Sequence, residues 1–138
     1  MKMRLLPSIL VLVAALTSAF TLEASLKKNM KQIGRAVKAV GQQLDDSAKN
    51  ADSIAKLSDA VELLKKAQEQ MPESLEKLEK AKQDESFKKF KETIQKEIDL
   101  IVSLKKTLET NDNTKAQNIF KEITDVKKKA HKEFDPEN

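Results

Sequence analysis

Large apolar side chains recur every three or four residues along four separate segments of this 138-residue chain, and this spacing constrains the fold more than any other feature. The stripes run over residues 26–44, 54–71, 87–108 and 116–134. Such positions lie on one face of an α-helix, whereas a half-buried strand needs apolar residues at alternate positions. With two glycines and three prolines in the whole chain, the sequence predicts long helices and no strands.

Polar segments predict where the first two helices end. Residues 45–50 end the first helix, and Asp52 or Ser53 is a candidate N-cap for the second, because a short polar side chain there accepts a hydrogen bond from the first turn. The second helix stops at Met71-Pro72, since proline disfavours helical geometry in the residue before it.

The second half of the chain predicts two more helices. We interpret the charged residues 73–85 as a connection with one or two loose helical turns. The third helix begins near Ser86 and the fourth near Thr114, a candidate cap. Four helices of similar length joined mainly by short connections lie antiparallel to their neighbours. The sequence therefore predicts an all-α fold over residues 25–138, an up-down-up-down antiparallel four-helix bundle.

The first 24 residues have the layout of a secretory signal: basic residues, an apolar run over 5–16 and then small residues. Cleavage after Ala19 and cleavage after Ala24 fit this layout equally well. The rival interpretation is an uncleaved membrane anchor, but the apolar run is shorter than the ~20 residues that a helix needs to cross a bilayer. We therefore expect residues 1–24 to be a signal peptide, export to the periplasm, and no stable membrane anchoring after cleavage.

Composition excludes several classes of function. The chain has no cysteine, so disulfides, Cys-based metal sites and covalent haem attachment are excluded. One histidine, no tyrosine and no glycine-rich phosphate loop leave the common catalytic motifs without their parts, so we do not expect an enzyme. The net charge is +4, but acidic and basic residues alternate along the helices, so we expect no nucleic-acid binding.

Met30 and His131 are the candidate ligand pair. In an up-down-up-down bundle the first and fourth helices are adjacent and antiparallel, so Met30 near the start of one faces His131 near the end of the other. A thioether and an imidazole can serve as the two axial ligands of a haem iron. Gly34, one turn after Met30, would leave room for a porphyrin. The candidate apolar lining consists of Ile33, Val37, Ile123, Val126 and Phe134.

Each of these residues also has a simpler interpretation. A methionine on an apolar stripe usually fills a core, and a histidine near a helix end often interacts with solvent or the helix dipole. Gly34 is equally consistent with a close approach of two helices, which is the role that we expect for Gly41.

Short motifs in all four helices resemble the cytochrome b562 family, over nearly the whole chain after the signal. They are Leu26-x-x-Asn29-Met30, Leu57-Ser58-Asp59-Ala60-Val61, Ile98-Asp99-Leu100-Ile101-Val102, Lys115-Ala116-Gln117 and Ala130-His131-Lys132. The resemblance implies one non-covalent b-type haem per chain, with Met30 and His131 as the axial ligands of its iron. It also implies an exported electron carrier whose partners are redox proteins of unknown identity, and we expect a monomer.

The chain departs from the family pattern at two places. Ile94 and Ile98 stand where aromatic neighbours of the haem are expected, and Lys127 stands where an arginine is expected one turn before the histidine. Lys127 is therefore a candidate partner of a haem propionate. The alternative hypothesis is a haem-free exported helical bundle that acts as a binding or scaffold protein, and its signature would be an exposed apolar groove.

Overall fold

The computed structural model describes the backbone over residues 10–135 and the side chains over residues 26–135. Its elements are α1 Leu10–Gly41, a 3₁₀ turn Ser47–Lys49, α2 Asn50–Gln68, the single turn α3 Glu73–Glu76, α4 Lys80–Glu109 and α5 Asn113–Phe134. The described residues contain no strand. Close packing joins α1 to α2, α2 to α4 and α4 to α5. The predicted all-α four-helix bundle is therefore confirmed.

Contacts at the helix ends show that packed neighbours run antiparallel. The Gln68 Nε2 at the end of α2 donates to the Lys91 carbonyl near the start of α4 over 2.9 Å. The Asn50 Nδ2 at the start of α2 donates to the Leu108 carbonyl near the end of α4 over 3.3 Å. Gln68 is a polar residue within the apolar stripe of α2. Because its side-chain amide donates a hydrogen bond across this interface, its Nε2 is not left without a partner.

The predicted caps of α2 are wrong. The helix begins at Asn50, after a 3₁₀ turn whose N-cap Asp46 accepts a hydrogen bond from the Ala48 amide over 3.0 Å. Ser53 instead lies buried inside the helix, where its hydroxyl accepts a hydrogen bond from Gln43 Nε2 over 2.7 Å. The chain turns earlier than the apolar stripe suggests, since Asp46 satisfies a free amide of the turn before the stripe begins.

Two later boundaries also differ from the prediction. The helix expected from Ser86 begins at Lys80, so much of the presumed connection over 73–85 is helical. Residues 80–85 are mostly exposed and are good helix formers, so the helix extends beyond its apolar stripe. The N-cap of α5 is Asp112 rather than Thr114, because the Asp112 carboxylate accepts the Lys115 amide over 3.1 Å.

A cluster of asparagines closes one end of the bundle. The Asn113 Nδ2 donates to the Leu44 carbonyl over 2.7 Å and to Asn50 Oδ1 over 3.0 Å. The Asn50 Nδ2 in turn donates to Asn111 Oδ1 over 3.0 Å. These bonds connect the residues that follow α1 and α4 with the first residues of α2 and α5, so they fix the order in which the four helices meet.

The described backbone begins inside the segment predicted to be a signal. There α1 starts at Leu10 and continues without a break to Gly41. Residues 1–9 lie outside the described residues, and cleavage after Ala19 or Ala24 stays a prediction. Among the described residues, every helix is too short or too polar to cross a membrane.

Candidate functional site

The predicted ligand pair belongs to the interface of α1 and α5, whose register follows from two glycines of α1. The Phe120 ring of α5 lies directly over Gly41, so that a side chain at this position would overlap the ring. Seven residues earlier in α1, the Lys127 Nζ lies 3.8 Å from the place where a Cβ of Gly34 would stand. From Gly41 to Gly34 the count along α1 goes back by seven residues, while from Phe120 to Lys127 the count along α5 goes forward by seven. The two helices therefore run antiparallel, and their facing residues stay matched over this length.

This register brings Met30 level with His131. Moving one turn from Gly34 toward the start of α1 reaches Met30, and moving the same four residues from Lys127 toward the end of α5 reaches His131. Residues four and seven apart lie on nearly the same side of a helix. Met30 therefore continues the row of Gly34 and Gly41, while His131 continues the facing row on α5.

The two side chains differ in burial. Met30 is partly buried and packs against the apolar core, whereas His131 is exposed at the rim of the interface. The His131 carbonyl accepts the Asp135 amide over 2.9 Å in the last turn of α5. The arrangement offers a soft thioether donor inside an apolar wall and an imidazole at the edge, where a ligand can enter from the side.

The other predicted site residues lie around this level. Ile33 and Val37 are 0% and 3% exposed, so they form the buried side of the interface, toward the core. Gly34 is half-buried, and a side chain at this position would meet the end of the Lys127 side chain of α5 in ordinary van der Waals contact. The remaining candidates for the lining, Ile123, Val126 and Phe134, are all buried.

The residues present fit a flat macrocycle held between α1 and α5. The backbones of α1 and α5 approach each other at fewer places than those of the other neighbouring helices of the bundle. Gly34 adds free space at the level of Lys127, whose long side chain can move aside. Met30 and His131 supply two donor atoms of the kinds that bind haem iron. Within the described chain, His, Asp and Glu side chains form no cluster of three or more suited to binding a metal ion directly.

A second opening lies at the far end of the same interface. It is a shallow cavity of about 300 Å³ beside Gly41, Leu44 and Phe120. Asp45, Gln117 and Lys121 make much of its rim polar. It is about three to four helical turns away from the level of Met30, as counted along α1. We therefore assign the candidate haem site to the Met30 end of the interface and not to this cavity.

Glu97 is a residue near the site that the sequence analysis missed. It belongs to the buried stripe of α4, is 2% exposed, and its Oε1 has no hydrogen-bond partner. Burial raises the pKa of Glu97 to about 7, although the Lys127 ammonium acts in the opposite direction. The signal in the sequence was its spacing, because Glu97 stands three residues after Ile94 and four before Ile101 on the apolar face.

Comparisons with known proteins add one finding. A family model described as Cytochrome b562 matches residues 25–135. This range includes both candidate ligands and all the bundle helices, with α1 counted from residue 25. Neither a curated protein nor a solved structure matches the chain.

Proposed function

Since the chain belongs to the cytochrome b562 family, we propose that it carries single electrons on one non-covalent b-type haem held between Met30 and His131. The family is one of helical bundles that bind b-type haem. The observation that carries the ligand assignment is the even antiparallel register of α1 and α5, read from the Gly41–Phe120 and Gly34–Lys127 contacts.

Haem supplies a one-electron exchange between ferric and ferrous iron when it is bound. Met30 Sδ and an imidazole nitrogen of His131 would hold the iron, and together they would exclude water and substrates from it. An iron without an open position suits electron transfer rather than oxygen chemistry. The Met30 thioether favours the ferrous state and raises the reduction potential. This is why we propose a carrier and not an enzyme.

The surrounding residues have separate tasks in this proposal. Ile33 and Val37 would exclude water from the bound haem, because both are closed off from solvent. Gly34 provides space where any side chain would narrow the interface. The ammonium of Lys127 can pair with a propionate, which would otherwise bring an uncompensated negative charge to the rim. The chain has no cysteine, so the haem would be bound without a covalent link.

We also propose where the protein acts, in which oligomeric state and with which partners. Residues 1–24 direct export to the periplasm and are removed, and the bundle then works as a monomer with redox proteins as partners. The three-part layout of the first 24 residues supports export. Lys128, Lys129 and Lys132 are exposed beside His131, but cations in the last turns of a helix also complement its dipole, so we assign no docking role to them.

The described residues offer little support for the haem-free alternative. A binding or scaffold bundle needs an exposed apolar groove for its partner. Among the described side chains, Leu78 is the large hydrophobic residue that is exposed, at 38%. A single exposed leucine is ordinary for a protein surface and does not form a groove.

A titration of the purified protein with haemin tests the proposal. We expect stoichiometric binding and the sharp visible bands of a reduced low-spin haem, because two strong axial ligands are present. Met30→Ala and His131→Ala should each lose these bands. Met71→Ala is the matched control, since Met71 is also a partly buried methionine packed against the core but stands after α2, outside the two helices that carry the proposed ligands.

The outcomes separate the two parts of the proposal. If the unaltered protein leaves the spectrum of free haemin unchanged, the haem-carrier function is wrong. If haemin binds but Met30→Ala behaves like Met71→Ala, the function stands and the assignment of the sulfur ligand is wrong.

A further inference from the structure

Glu97 is an ionisable group in the apolar interior of the bundle that the proposed haem site leaves without a task. Its side chain is 2% exposed, and no hydrogen bond reaches Oε1. An ionised carboxylate in such a place is costly, because no hydrogen-bond donor compensates the charge on Oε1. Glutamine or leucine would avoid this cost, so a titratable residue here suggests a function that needs a proton.

Every helix packed near Glu97 presents apolar groups at its level, with one exception. The contacts of Gln68 with Lys91 and of Asn50 with Leu108 bring Val61 of α2 level with Glu97. The inward-facing residues on this part of α2 are Ala60, Val61 and Leu64, all buried. On α1 the corresponding inward residues are Ile33 and Val37, and on α5 they are Ile123 and Val126.

The exception is Lys127 of α5. The Phe90 ring of α4 and the Phe134 ring of α5 pack edge to face, with their centroids 5.3 Å apart. Seven residues after Phe90 on α4 is Glu97, and seven residues before Phe134 on α5 is Lys127, so these two residues lie at the same level of the bundle. Among the described residues, the Lys127 ammonium is the charge that acts on the Glu97 carboxyl. Asp99 and Lys96, which follow and precede Glu97 on α4, are exposed to solvent.

Lys127 also connects Glu97 with the proposed haem site. Its Nζ lies beside Gly34 on α1, one helical turn from the level of Met30 and His131. Glu97 therefore lies at the inner side of the same interface, on the helix that packs against α5. A charge placed between α1 and α5 at this level acts on Glu97 through an interior of low dielectric constant, where Coulomb interactions are strong.

We propose that Glu97 is a redox-linked proton site, which takes up one proton when the protein is reduced and releases it when the protein is oxidised. This inference rests on the proposed haem function. A one-electron donor supplies the electron that converts ferric to ferrous iron, and water or buffer supplies the proton that forms the O–H bond on the Glu97 carboxyl. The added negative and positive charges balance, so the net charge inside the bundle stays the same in both states.

The direction of the coupling follows from electrostatics. The positive charge of ferric iron favours the ionised form of Glu97, and its loss on reduction favours the neutral acid. The pKa of Glu97 is therefore higher in the reduced than in the oxidised protein. At pH values between the Glu97 pKa of the oxidised protein and that of the reduced protein, the midpoint potential falls as the pH rises. Outside this pH range Glu97 does not make the midpoint potential depend on pH.

The test is the pH dependence of the midpoint potential of the haem-loaded protein, compared with that of Glu97→Gln. We expect a falling potential near neutral pH in the unaltered protein and a smaller slope in Glu97→Gln. The haem propionates are present in both proteins, so the difference between the two curves reports Glu97. Asp99→Asn is the matched control, because it removes an exposed carboxylate from the same helix and should keep the slope.

Infrared difference spectra between the two redox states give a readout that a merely structural role would not change. Reduction should produce the C=O band of a protonated carboxylic acid in the unaltered protein and in Asp99→Asn. Glu97→Gln should lose the part of this band that belongs to Glu97 and keep any part that belongs to the haem propionates. An undiminished band in Glu97→Gln would overturn the proposal.

Lys127→Met keeps the proposal testable if Glu97→Gln does not fold. Removal of the ammonium should move the sloping range of the potential to higher pH, because Lys127 lowers the pKa of Glu97. An unmoved range would contradict the proposed role of Glu97. A protein that binds haemin but has the same slope in Glu97→Gln overturns the proton coupling alone, whereas a protein that binds no haemin overturns the haem function and the coupling together.

Discussion

Glu97 should make the stability of the haem-free bundle fall with rising pH. Burial raises the pKa of Glu97 from 4.5 to about 7 in the folded protein, whereas in the unfolded chain the group returns to its ordinary value. Below pH 4.5 both states hold the proton. At higher pH, up to about 7, the unfolded chain has released its proton while the folded protein still holds it. The free energy of unfolding therefore falls as the pH rises through this window.

The size of the effect follows from the width of the window. One pKa unit corresponds to about 1.4 kcal/mol, so the rise from 4.5 to about 7 lowers the free energy of unfolding by about 3 kcal/mol. Asp52 acts in the opposite sense at lower pH, because hydrogen bonds from Gln43 and then from Lys56 lower the pKa of this carboxyl. Its contribution to stability is lost as the pH falls.

Urea unfolding followed by far-ultraviolet circular dichroism, from roughly pH 4 to pH 8, measures this window in the unaltered protein and in Glu97→Gln. Subtraction of the two curves removes Asp52 and every other shared carboxylate. We expect the difference to decline by about 3 kcal/mol and then to level off above neutral pH. Two curves with the same pH dependence would refute the reasoning, and a difference that increases with pH would mean that Glu97 is ionised and paired in the folded state.

Five further substitutions test the fold and the interface in urea unfolding. Gly41→Ala should destabilise the protein by about 1–3 kcal/mol, because its methyl group overlaps the aromatic ring that faces it. The methyl group of Gly34→Ala would meet the Lys127 Nζ at 3.8 Å, an ordinary van der Waals contact, so this variant should stabilise the haem-free protein by up to about 1 kcal/mol while weakening haemin binding. Equal effects at the two glycines would contradict the register. Asn113→Ala should cost about 1–3 kcal/mol, since it removes bonds to two partners at the closed end. Asp112→Ala should cost about 1 kcal/mol and Thr114→Ala much less, and the reverse order would reject the observed cap.

The helices themselves were predictable because their apolar stripes are a local property. Ile33, Leu64, Ile101 and Ile123 all belong to predicted stripes, and all are at most 1% exposed in the folded bundle. Burial of such a stripe is the main source of helix stability in a protein of this kind. The pattern therefore indicates both that a helix forms and which face it buries.

Helix ends were less predictable, because several polar side chains compete for each terminus. Asp46 and Asp112 provide the caps, whereas the sequence predicts Asp52 or Ser53 and Thr114 for these roles. All of these residues can accept a hydrogen bond from a free amide. The choice among them depends on where the chain must turn to enter the next helix, and that is set by packing between helices.

The apolar periodicity of the sequence is sufficient to predict four amphipathic helices, and its short motifs predict Met30 and His131 as a pair. The level at which α1 and α5 meet was decided by the tertiary structure, through the fit of an aromatic ring on Gly41 and the bonds of Asn113. The burial of Glu97 beside Lys127 was decided there too. The physical reason is that periodicity assigns a residue to a face of its own helix, whereas its neighbours and its dielectric surroundings come from other helices that are distant in the chain.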